Sequence, residues 1–158
     1  MKKVGLYTKE EAKRLKEKFW TTFGQYMSVV PSADGEKVNW VNYKTGVKYL
    51  FFRMDADNKT ARISIEIAHP DDGIRHLMYE QFLELRIVFE SFSDAEWLWY
   101  EDHSDDYDKV TSRIVSQIEK VSIFNTGDWP DLISFFKSRI VELDGFWSMA
   151  RYSFDIFK

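Results

Sequence analysis

The chain has no cysteine, and only three prolines, seven glycines and three histidines among its 158 residues. The lack of thiols excludes disulfides, thiolate nucleophiles and cysteine zinc sites. No stretch of about 18 consecutive apolar residues is present, so no membrane-spanning helix is expected. The opening segment MKKVGLYTKEEAK lacks the apolar run of a secretory signal, and a cytoplasmic location without membrane contact is the expectation. There is no glycine-rich phosphate loop and no Gly-x-Ser-x-Gly elbow. His69 and His76 could approach across a helix start, but with His103 far off and no carboxylate triad nearby they make a poor zinc set. The acidic run Asp102-His103-Ser104-Asp105-Asp106-Tyr107-Asp108 lacks the central glycine and final glutamate of a calcium loop, and reads as a solvated hairpin tip. Together these absences leave no cofactor, no metal and no catalytic centre to expect.

What the chain has in plenty is aromatic side chains: six Trp, eight Tyr and thirteen Phe. Each ring buries roughly 150–250 Å2, so the rings can fill much of the core of one domain spanning residues 1–158. A net charge of −4 argues against a general nucleic-acid coat. The charge is uneven, with Lys2, Lys3, Lys9, Lys13, Arg14, Lys16 and Lys18 in the first twenty residues and eight acids without lysine or arginine in residues 90–108. The basic residues lie mostly off the apolar face of their segment, as on a solvated helix surface.

Thr8-Lys9-Glu10-Glu11 has the pattern of a capping box, and Ala12, Leu15, Phe19, Phe23, Tyr26 and Val30 follow at helical spacing until Pro31-Ser32-Ala33-Asp34-Gly35. Val38–Val41 reads as a short strand closed by the turn Asn42–Gly46. Two apolar runs around Asp55-Ala56-Asp57-Asn58-Lys59 then predict a β-hairpin. Past Pro70, Ile74, Leu77, Met78, Phe82, Leu85, Phe89 and Phe92 predict a second amphipathic helix. Residues 96–101 and 109–121 alternate as strands, and Trp129-Pro130 opens a long terminal helix. The fold class expected is α+β: a mainly antiparallel sheet of about five strands, in the order α-β-β-β-α-β-β-α, with helices chiefly on one face.

The hairpin carries two unlike faces. Leu50, Phe52 and Met54 should meet Ile63, Ile65 and Ile67 on the core side. The other side holds Val47, Tyr49, Phe51 and Arg53 against Arg62, Ser64 and Glu66. This mixed face, completed by Trp99 and Arg113 from the later strands, is the candidate binding surface: Tyr49, Arg53, Arg62, Glu66, Trp99 and Arg113. Three guanidinium groups there would suit phosphate or carboxylate, whereas an ordinary Arg-Glu pair on a half-covered sheet is the simpler reading.

In the terminal helix, Trp129, Ile133, Phe136, Ile140, Leu143, Trp147, Ala150, Phe154 and Phe157 recur at alternating spacings of four and three. Such a repeat packs either on the chain's own sheet or on a second copy as a homodimer seam. Asp144-Gly145 marks an expected kink or break.

The order helix, three strands, helix, strand is also that of restriction-type nuclease cores, which need an acid at the end of one strand and Glu/Asp-x-Lys on the next to hold Mg2+. Asp55 and Glu66 can supply acids, but Ala68 stands where the lysine belongs. Cleavage is therefore not expected.

The segments VNWVNYKTGVKYLFFRMDAD, TSRI at 111–114, DWP at 128–130 and FFKSRI at 135–140 resemble a bacterial family labelled only as a domain of unknown function. The likeness runs from Phe19-Trp20 to Phe154. Stand-alone members are common in Bacteroidetes, and a more distant branch is similar to the C-terminal part of proteins with a nuclease-like N-terminal part. The resemblance implies a link by association to DNA or RNA processing or defence. Three functions are open at this level: a non-catalytic module binding a protein or nucleic-acid partner, a degenerate nuclease-like fold that binds nucleic acid without cutting, and a protein that self-associates through its last helix.

Overall fold

A computed structural model describes residues 8–158, which leaves Lys2 and Lys3 outside the described residues. Helix α1 (Lys9–Met27) starts at the expected capping box: the Thr8 hydroxyl accepts from the Glu11 amide and the Glu11 carboxylate accepts from the Thr8 amide, both at 3.0 Å. Its buried face is Phe19, Phe23 and Met27. Tyr26, expected inside, is half exposed under the Lys137 ammonium. A thioether needs no hydrogen-bond partner when buried, and a phenol does.

Among the described residues four strands form one antiparallel sheet in the order β1-β2-β4-β3: β1 (Leu50–Ala56), β2 (Thr60–Ile67), β3 (Leu98–Ser104) and β4 (Val110–Glu119). The hairpin register is the expected one, with Leu50 opposite Ile67, Phe52 opposite Ile65 and Met54 opposite Ile63. The expected fifth strand is absent among the described residues. Val38–Val41 lies in a loop, where the Trp40 indole N–H donates to the Val30 carbonyl at 2.9 Å and Asn39 Oδ1 accepts from the Asn42 amide at 3.1 Å. Local side-chain bonds meet polar groups there that a ladder would otherwise have to meet.

The second predicted helix is two: α2 (Asp72–Glu84), capped by Asp71 on the Ile74 amide, and α3 (Arg86–Phe92), with the break at Leu85. Helix α4 (Trp129–Ala150) runs on as a 3-10 segment, Arg151–Phe157. Its repeat is turned inward. Phe136, Ile140, Leu143, Trp147 and Phe154 are buried, with Trp147 edge-on to Phe52 of β1 and Phe154 against Phe82 of α2. Thus α4 covers the core face of its own sheet, and among the described residues no helix packs on the mixed face.

No break occurs at Asp144-Gly145. Asp144 is buried and accepts from the Ala33 amide and the Tyr43 hydroxyl, both at 2.6 Å, which ties the loop after α1 to α4. Gly145 allows a close helix approach, since a Cβ there would stand 3.1 Å from the Phe92 ring.

Candidate binding site

Strand alternation puts Arg53 of β1, Arg62, Ser64 and Glu66 of β2 and Arg113, Val115 and Gln117 of β4 on the mixed face. Glu66 is only 8% exposed and lies between two arginines, accepting from Arg53 Nε at 3.2 Å with Arg113 Nη2 at 3.7 Å. The Arg53 guanidinium also covers the Phe51 ring at 4.1 Å. Arg62 forms a separate group: it contacts Asp55 at 3.5 Å and Asp57 at 3.7 Å, and donates to Gln117 Oε1 at 3.3 Å and Thr60 Oγ1 at 2.9 Å. The three expected arginines therefore share one face but sit in two carboxylate-bound clusters. Arg113 and the Arg62 partner Gln117 are four positions apart on β4, or roughly 13 Å.

Two expected members stand elsewhere. Trp99 pairs with Ile114, so its side chain falls on the core side, against Tyr79 and Phe89 and beneath the Arg86 guanidinium. The register Leu98 to Val115 gives the mixed face to Leu98 and Tyr100 instead. Tyr49 precedes the sheet in the left-handed region, at φ 66°, and its ring meets His69 edge-on at 4.9 Å.

A cavity of about 710 Å3 opens where the mixed face wraps the edge of β4, lined by Arg62, Tyr100, His103, Arg113, Gln117 and Arg139 among others. Arg139 comes from α4 on the opposite side of the sheet, with Nε donating to Ser116 Oγ at 3.3 Å and Nη1 to the Glu142 carboxylate. Sequence reading missed it, because helical spacing alone does not say which strand edge a helix overhangs.

Arg75 of α2 was missed as well. It is 2% exposed and enters the irregular stretch of β3 between Tyr100 and His103. Nη1 donates to the Glu101 carbonyl at 2.7 Å and to Ser112 Oγ at 2.8 Å, and Nη2 to Asp102 at 2.9 Å. His76 Nε2 lies 3.0 Å from the same Asp102 oxygen. Hydrogen bonds from His76 and Arg75 hold the Asp102 carboxyl below the usual carboxylate range. His69 has a different partner, accepting from the Asp71 amide, so the two histidines do not act together.

A further acid of the loop shapes its turn. Asp105 accepts from the Lys109 and Tyr107 amides, and these bonds lower its pKa. The Tyr43 phenol is pushed well above its ordinary value by burial and by the Asp144 carboxylate.

The nuclease geometry is not met. Asp55 faces Arg62 and Glu66 faces Phe51 across the hairpin, four register positions or about 13 Å apart, so they do not converge on one ion. Among the described residues no three His, Cys, Asp or Glu side chains are placed to hold a metal.

No helix among the described residues is long and apolar enough to cross a membrane. No curated protein and no solved structure matches the chain. The model of a family described as "Domain of unknown function (DUF4268)" matches residues 15–151, nearly the whole sequence, and the chain belongs to that family.

Proposed function

We propose that this chain is a non-catalytic binding module that takes an anionic group of a partner at the cavity on the edge of β4. One observation carries the reading: guanidinium groups from three elements, Arg62, Arg113 and Arg139, line one cavity together with Tyr100 and His103. Guanidinium forks match carboxylate and phosphate. Each of these arginines already has a carboxylate neighbour, which orients it and leaves further N–H groups for a ligand. Glu96 and Glu119 also line the cavity, and the chain is acidic overall, which favours a single carboxylate or phosphate over a long polyanion.

The test is tryptophan fluorescence during titration with short single- and double-stranded DNA, RNA and a capped acidic peptide, at low and moderate salt. Trp97 and Trp99 flank Leu98, a lining residue, along the chain. Saturable binding that weakens about tenfold in Arg113→Ala or Arg62→Ala is the expected result, with a steep salt slope if phosphate is the group. Binding unchanged in both variants, or no response to any probe at low salt, overturns the reading.

A further inference from the structure

β4 outlasts β3. The β3–β4 ladder stops at Leu98 opposite Val115, whereas the β2–β4 ladder continues to Thr60 opposite Glu119. Among the described residues, Ser116–Glu119 consequently has a strand on one side only.

Strand alternation decides which main-chain groups face the open side. The Lys109 carbonyl accepts from the Asp105 amide across the β3–β4 turn, so odd-numbered residues of β4 point toward β3. The other flank agrees: Thr60 bonds back to Asp57, which leaves Ala61 and its opposite Ile118 as the bonded pair between β2 and β4. The N–H and C=O of Gln117 and Glu119 therefore face the open edge, without a backbone partner among the described residues. The cavity takes in this edge, and Ala95 and Glu96 line it too. On the α4 side Arg139 uses Nε and Nη1, and its Nη2 has no partner among the described residues.

We propose that this edge accepts an extended peptide segment of a partner protein, added antiparallel to β4 in place of the missing length of β3, with an acidic side chain turned to Arg139. The inference rests on the cavity being a binding site and names the class of partner. Its argument is chemical. The edge offers donors and acceptors in alternation, which an extended peptide meets on both counts, whereas a phosphate backbone accepts only and leaves the carbonyls of Gln117 and Glu119 unmet. Side chains opposite Ser116 and Ile118 fall on the α4 side, where the free Nη2 can take a carboxylate.

The probe is an acetylated, amidated eight-residue peptide of alternating Glu and Val, titrated into 15N-labelled full chain. Saturable shifts at the Gln117 and Glu119 amides are expected. Gln117→Pro removes an edge donor that the β2 ladder does not use, and should bind the peptide about tenfold more weakly than Gln117→Ala, which loses the same side chain but keeps the donor. Since a proline variant can fail to fold, the peptide is also N-methylated on alternate residues: one set should abolish binding and the other leave it. Equal tolerance of both sets, or no shift at Gln117 and Glu119 at millimolar peptide, overturns strand addition. If acidic probes still depend on Arg113 in that case, the cavity reading survives alone; loss of every response removes both.

Discussion

The hydroxyl of Tyr43 donates to Oδ1 of Asp144 at 2.6 Å, joining residues 101 positions apart. With the Ala33 amide on Oδ2, this bond straps the long loop between α1 and β1 onto α4. Tyr43→Phe leaves Asp144 one donor short in a buried site, at an expected cost of about 1–3 kcal/mol by urea unfolding. A pH dependence follows from the raised phenol pKa. A folded-state pKa above the unfolded value of about 10 contributes stability that is full below pH 10 and is lost as pH rises through the folded value. Wild type should therefore weaken above pH 10 more steeply than Tyr43→Phe; equal slopes would remove Tyr43 as the cause.

Arg75 poses a question of which effect wins. It makes several charge-assisted bonds, yet its buried Nε has no partner among the described residues. Removing the guanidinium leaves little stranded, because Ser112 still donates to the Glu101 carbonyl at 2.6 Å and Asp102 faces solvent. Arg75→Met keeps most of the volume, and should fall within about 1 kcal/mol of wild type. Arg75→Ala adds a void and should cost about 2–5 kcal/mol. A methionine variant as damaged as the alanine one would show that the bonds, not the volume, hold α2 to the sheet.

Acid should find the same cluster through Asp102. Its carboxyl is held low by hydrogen bonds from His76 and Arg75. A depressed folded-state pKa gives stability that is full above the unfolded value of about 3.9 and is lost as pH falls through the folded one. Thermal unfolding across pH 5 to 2 should show a shallower loss for Asp102→Asn than for wild type in the range below about pH 4. Identical profiles would mean the pairing is not maintained in solution.

The parts of this fold that were legible in the sequence are those that local chemistry determines. Thr8 and Glu11 are three residues apart and cap each other. The hairpin could be aligned residue by residue, since Asp57 accepts from the Lys59 and Thr60 amides and so sets the turn that registers β1 on β2. Trp99 was misplaced because no turn chemistry within residues 96–101 sets their alternation; it comes from pairing with β4 across an irregular stretch. Arg75 was illegible for a related reason: a charged residue near a helix start reads as solvated, and its burial depends on a kink in β3 some 26 residues on. Asp144-Gly145 looked like a helix break, and only tertiary partners, Tyr43 and Phe92, give each residue a reason to be inside a helix. The arginine face was found by alternation, but its edge cavity was not, because strand lengths that fail to match are a property of the pairing.

Glu66 offers the sharpest test of the site, since stability and binding should move in opposite directions. Its carboxylate is nearly buried between Arg53 and Arg113, and the three side chains together carry a net charge of +1. Glu66→Gln raises this to +2 while keeping the shape, so two guanidiniums at close quarters lose the group that compensates them. Stability should fall by about 1–3 kcal/mol. The capped acidic peptide should then bind about 3–10-fold more tightly at low salt, because one negative charge is gone from beside Arg113, which lines the cavity, and the gain should shrink as salt is added. Titration of wild type and variant at two salt concentrations separates the outcomes. Tighter, salt-sensitive binding supports an anion site built on Arg113. Weaker binding would mean that Glu66 positions the arginines more than it competes for them, and an unchanged affinity would place the ligand away from this face.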